Sequence, residues 1–174
     1  MLTGASGDGK SSLIYAGIIP NARAGFLKSK YTNWCVADFR PERSPFQNLC
    51  KSVARELDIN SIDTVQAELN HGFSALIDLY KNSKRYFAPG FVASQPTTST
   101  ERAAAKRESA NMVILVDQFE EFFTNPENYH KGMPSRDSGL VINLLLETAR
   151  IALEEDLPVY VVFTMRSDYI GQCA

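Results

Sequence analysis

"GASGDGKSS", Gly4 to Ser12, is the stretch whose reading decides the fold. It matches GxxxxGK[ST] at every fixed position, and each of those positions answers a physical need. Gly4 and Gly9 permit dihedrals and a close approach that a Cβ would forbid, so successive N–H groups can turn inward on phosphate oxygens. Lys10 then reaches the β- and γ-phosphates of a nucleotide, and Ser11 offers a hydroxyl ligand to Mg²⁺. The run "SSLIYAG" starts a helix whose positive end faces the same phosphates, and Pro20 is expected to end it. Gly4, Ala5, Ser6, Gly7, Asp8, Gly9, Lys10, Ser11 and Ser12 together form the candidate nucleotide-binding loop. A chance match in a chain of this length is on the order of 1%, so a ligand-free glycine turn is the weaker reading.

Working outward, the chain alternates strand and helix patterns. "NWCVADF" (33–39), "MVILVD" (112–117) and "PVYVVFTM" (158–165) are short runs that are apolar almost throughout, as strands buried on both faces are. Ser44-Pro45-Phe46-Gln47 offers an N-cap, a first-turn proline and a capping-box glutamine, followed by Phe46, Leu49, Val53 and Leu57 at helical spacing. Leu69, Phe73, Leu76, Ile77 and Tyr80 form a second apolar face, broken by Gly72. Val141, Leu144, Leu145, Thr148, Ile151 and Ala152 form a third. This order predicts an α/β fold of three layers, a mostly parallel sheet covered by helices on both sides. The polar stretch from Ser94 to Asn111 has no apolar face and is read as a mobile loop. No internal repeat is visible.

The second chemical signal is "VILVDQFEEFF", Val113 to Phe123. A phosphate-binding loop needs an acid at the end of a neighbouring strand to hold Mg²⁺, and Asp117 closes such a strand. An acid beside four apolar residues is costly to bury without a partner, which argues for a role. Hydrolysis also needs a group that orients or deprotonates water. Glu120 and Glu121 lie one short turn further on; for either, the competing reading is a solvated acid favoured by a helix N-terminus. Gln118 stands where many vigorous ATPases of this kind carry a glutamate, so slow turnover is expected.

"GASGDGKSSLIYAGIIP", "FRPERSPFQNL", "VILVDQFEEFF" and "VVFTMRSDYIGQCA" together resemble the novel STAND branch of signal-transduction NTPases. The likeness spans most of the chain, excepting about residues 81–110. It implies that Gly4 to Ser12 is the Walker A loop, Asp117 the Walker B acid, and Glu120 with Glu121 the acidic pair of the related NACHT type. It further implies that Arg166 is a sensor arginine for the γ-phosphate, against the plainer reading of a surface pair with Asp168. A switch holding ATP or ADP with Mg²⁺, joined to effector and sensor domains and able to drive homo-oligomerisation, is what the likeness implies for function. Arg40 reads as a packing or salt-bridge residue, Trp34 as core, and His71 and His130 as structural or solvent-facing.

Composition narrows the partners. The 174 residues carry 44% hydrophobic content and a net charge of −2, which suits one domain and gives no basic footprint for nucleic acid. Cys35, Cys50 and Cys173 lack metal-ligand or disulfide spacing, and no apolar run is long enough to span a membrane, so a reduced, cytoplasmic setting is expected. Only Met1, Leu2 and Thr3 precede Gly4, and the chain stops soon after the last strand pattern. The expectation is therefore a fragment whose sheet is incomplete at both ends, inactive by itself. A small-molecule kinase and a nucleotide-free protein-interaction scaffold stay open beside the switch.

Overall fold

In a computed structural model describing residues 1–87 and 98–172, β1 (Leu2–Gly4), β2 (Asn33–Phe39), β3 (Ala110–Val116) and β6 (Val159–Arg166) form one parallel sheet in the order β1-β6-β3-β2. The three longer runs, β2, β3 and β6, are largely apolar, so both pleat faces can be buried, as a parallel sheet requires. Cys35, Ala37, Phe39, Met112, Ile114 and Val116 point to one face. There they meet α3 (Pro45–Glu56), α5 (Ala75–Asn82) and α8 (Arg136–Glu154), whose Leu49, Tyr80 and Leu144 are wholly buried. The alternate residues Val36, Leu115, Val113 and Val162 point the other way, against Ile14 and Ile19 of the helix behind the glycine loop. Helices thus lie on both faces, the three-layer α/β arrangement expected. Fully burying each such aliphatic side chain contributes roughly 1.5–3 kcal/mol.

The three residues around Thr3 suffice to make β1: Leu2, Thr3 and Gly4 register with Thr164, Met165 and Arg166. Behind it the helix does not end at Pro20. α1 (Lys10–Leu13) widens through a π-helical stretch (Ile14–Ile18) and runs on as α2 (Ile19–Arg23). The Ile19 N–H reaches back five residues to Ile14 O. That wider turn makes room for the proline ring and its missing N–H, which would break a regular helix.

Other expectations need correction. Ser44 precedes α3 with Pro45 in the first turn, but its side chain makes no capping bond, so the capping box with Gln47 is not formed. The second apolar face belongs to two helices, α4 (Ile62–Leu69) and α5, with Gly72 between them and Phe73 exposed. The polar stretch read as a mobile loop contains α6 (Ser99–Glu108); residues 94–97 of it lie outside the described ones. α6 buries nothing, so no periodicity marks it. It rests on a capping box, Thr98 Oγ1 accepting from Glu101 N–H and Glu101 Oε2 from Thr98 N–H, and on residues of high helix propensity. A two-residue hairpin, β4 (Tyr129–His130) and β5 (Met133–Pro134), was also unforeseen. Its turn, Lys131-Gly132, takes positive φ at both positions, the geometry that matches strand twist.

Candidate functional site

The C-terminal ends of the four strands share one edge, and the register decides which side chains meet there. Phe39 opposes Val116, and Val116 opposes Phe163. One residue further on, Arg40, Asp117 and Thr164 therefore form a row across three strands. Asp117 is wholly buried in the middle of it. Its Oδ1 accepts from Ser11 Oγ (2.9 Å) and Thr164 Oγ1 (2.6 Å), and its Oδ2 accepts from Arg40 Nε (3.1 Å). Thr164 Oγ1 also accepts from Gln118 N–H (2.9 Å), so one hydroxyl fixes both the acid and the turn behind it.

The glycine loop folds over the same edge. Gly7 and Gly9 have φ of 89° and 72°, in the region that glycine alone adopts freely. Gly4 is needed for a different reason: a Cβ there would stand 2.8 Å from Asp8 Oδ2, which accepts from Ala5 N–H at 2.6 Å. Lys10 Nζ donates to the carbonyls of Gly4 and Ala5 (2.8 and 2.7 Å), and α1 starts without a side-chain cap. Its first N–H groups thus have no side-chain partner.

A cavity of about 520 Å³ lies between this loop and the turn after β3. Ser6, Gly7, Gly9, Lys10, Ser11 and Ser12 line one side; Gln118, Glu120, Glu121, Thr164 and Arg166 line the other. The structure thus brings together most of the residues singled out from sequence, although Asp117 lies just beneath the wall. The two glutamates differ. Glu120 is buried and accepts from Arg166 N–H (3.3 Å), tying the turn to the end of β6. Glu121 at the start of α7 (Glu121–Thr124) is half-buried and accepts from Glu42 N–H (2.8 Å). Burial holds its carboxyl above the ordinary glutamate range, with the Glu42 N–H and Arg40 acting in the opposite sense.

Gln118 occupies left-handed backbone, φ 60°, an uncommon state for a residue with a Cβ. Assigned from the donors and acceptors around it, its amide oxygen faces the Arg40 guanidinium and its amide nitrogen donates to Glu121 Oε1 (2.8 Å). Arg166 pairs with Asp168 (2.7 Å) and stacks 5.3 Å from the Tyr169 ring centre, while its buried Nε has no partner. The surface-pair reading of Arg166 therefore describes its Nη2, and its place on the cavity wall keeps the sensor role open.

Arg40 and Thr164 were not singled out for this site. Thr164 left a faint signal, a hydroxyl inside an aliphatic strand. Arg40 follows directly on β2, as Asp117 follows on β3. The remaining candidates stand aside. His71 and His130 are exposed, Trp34 is half-buried against Tyr160 rather than in the core, and Cys35 and Cys50 are free, buried thiols pushed up to about 12 by desolvation. Cys173 lies outside the described residues. No described helix is long and apolar enough to cross a membrane.

A parallel α/β sheet with a glycine loop between its first strand and helix, and an acid at the tip of β3, one strand removed from β1 rather than beside it as expected from the sequence, defines a P-loop NTPase type of domain. The family model described as Novel STAND NTPase 1 matches residues 1–174, and the chain belongs to that family. It is a nucleotide-binding module of the STAND NTPase kind, a kind that generally works inside multidomain proteins. Comparison with curated proteins and with solved structures gave no match.

Proposed function

We propose that the chain is the nucleotide-controlled switch of a larger regulator, binding ATP or ADP with Mg²⁺ and hydrolysing ATP slowly within that intact parent. The observation that carries this reading is the buried Asp117 carboxylate bonded to Ser11 Oγ beneath a cavity walled by the glycine loop. A hydroxyl and a carboxylate are hard oxygen donors of the kind Mg²⁺ takes. The described residues hold no cluster of three or more His, Cys, Asp or Glu at metal-binding range, so phosphate and water oxygens would complete the shell. The residues therefore fit Mg²⁺, with Ser11 and Asp117 holding it. Held by Ser11 and Asp117, the cation would supply positive charge against the charge developing on the phosphates.

The chain's own groups supply the rest. Lys10 Nζ rests on two loop carbonyls and exchanges these for phosphate oxygens. Glu121 orients and deprotonates the attacking water; burial raises its basicity towards the working pH. Glu120, engaged by Arg166 N–H, positions the strand end instead. Arg166 releases Asp168 to meet the terminal phosphate. Gln118 provides an amide where a carboxylate would speed hydrolysis, and this supports slow turnover. Effector and sensor domains of the parent, and nucleotide-driven self-association, are the partners that a switch requires. Binding of a labelled ATP analogue by the intact parent, followed by phosphate release in the absence of any acceptor, tests the reading. Release is expected; strict dependence on an added acceptor would point to a kinase, and no binding to a scaffold.

A further inference from the structure

We propose that Arg40 is the built-in counter-cation of Asp117, neutralising it in the metal-free protein and thereby weakening the site's hold on Mg²⁺. The inference rests on the magnesium reading above and adds to it a residue that sets metal affinity. A carboxylate with no exposed surface is costly unless its charge is met. Two hydroxyls satisfy Oδ1 but carry no charge. Arg40 Nε, 3.1 Å from Oδ2, brings the one ion-pair partner of Asp117 among the described residues. Lys10 does not compensate it, being bonded to Gly4 O and Ala5 O.

Three further observations separate this role from phosphate binding or plain packing. Arg40 is absent from the cavity wall and meets Asp117 from the neighbouring strand end of β2. Its side chain is 42% exposed against 0% for Asp117, so it can shift without opening the core. Its second arm meets the Gln118 amide, which in turn holds Glu121. A cation arriving at Asp117 faces a positive charge already there, and like charges at this range oppose each other strongly in a partly buried setting. Any movement of Arg40 in response is passed through Gln118 to Glu121. Metal occupancy and the placing of the candidate base are in this way linked.

The test uses the 174-residue chain and Mg²⁺ alone, without nucleotide. Thermal melts of wild type, Arg40→Gln and Arg40→Lys are recorded in EDTA and across a Mg²⁺ titration. Arg40→Gln is expected to melt several degrees lower in EDTA, to recover most of that loss with metal, and to bind Mg²⁺ roughly tenfold more tightly than wild type. Adding Asp117→Asn to it should abolish the metal response. Arg40→Lys keeps the charge and should match wild type in Mg²⁺ affinity. An Arg40→Gln loss that is equal with and without Mg²⁺, or an affinity unchanged or weaker, overturns the proposal. Should Arg40→Gln fold in neither condition, Arg40→Lys decides, and a tenfold change in its Mg²⁺ affinity overturns the proposal as well. Loss of ATP binding by wild type with the metal rescue intact would count against the nucleotide reading and leave this one standing.

Discussion

At the scale of single residues, the division of labour around Asp117 makes distinct kinetic demands. Asp117→Asn keeps the shape but removes the charge and one of the two acceptor oxygens, the one that meets Ser11 and Thr164 or the one that meets Arg40 Nε, so nucleotide binding should lose its Mg²⁺ dependence. Glu121→Gln should leave binding within about twofold and slow phosphate release by roughly 10²-fold or more, the range lost with a general base. Both are read from binding titrations and single-turnover rates, and a Glu121→Gln variant that lost binding alone would contradict the assignment. The pH dependence follows from the raised Glu121 carboxyl. Hydrolysis needs its ionised form, so the rate should climb with pH through a midpoint above that of an ordinary glutamate, and Glu121→Gln should erase that limb. Stability runs the opposite way: the fold favours the protonated form, so this contribution is present in acid and fades as pH rises through the folded-state value. That Lys10, Ser11, Asp117 and the acidic pair would gather at one place was legible in the sequence, because they lie within two short local patterns. Arg40 and Thr164 were not, since they lie 77 and 47 residues from Asp117 and only strand register brings them to it.

Among the elements, capping and burial separate. Ser135 caps α8, its Oγ accepting from Ser138 N–H (3.2 Å), and α8 carries Val141, Leu144 and Leu145 into the core. Ser135→Ala should therefore cost about 1 kcal/mol of global stability in urea unfolding. Thr98→Ala removes an equally good cap from α6, which buries no residue. Its global cost should be near zero, with faster amide exchange confined to the first turn of α6 as its signature. An equal global loss for both would show that α6 is docked. The same distinction explains what sequence patterns reveal. β2 was legible to the residue because its apolar run coincides with its pairing, and α8 because one face of it must be buried. α6 was hidden since propensity and a cap leave no periodic trace, and the continuation past Pro20 since a π-turn is a tertiary accommodation.

For the molecule as a whole, the sheet's two buried faces hold it together while its C-terminal edge is left to chemistry. The parallel register that pairs Phe39, Val116 and Phe163 also delivers Arg40, Asp117 and Thr164 to one row, so the site is a consequence of the fold rather than an addition to it. Lys10, by contrast, touches only the carbonyls of its own loop and supports no core residue. Removing it should disable the site and spare the fold. The most direct measurement is equilibrium binding of a labelled ATP analogue with Mg²⁺ to wild type and to Lys10→Ala, alongside a melt of each without nucleotide. The account predicts matching melts and an affinity loss of about a hundredfold, as expected when charge-assisted hydrogen bonds worth roughly 3 kcal/mol are removed. Equal affinity in the two proteins would contradict it.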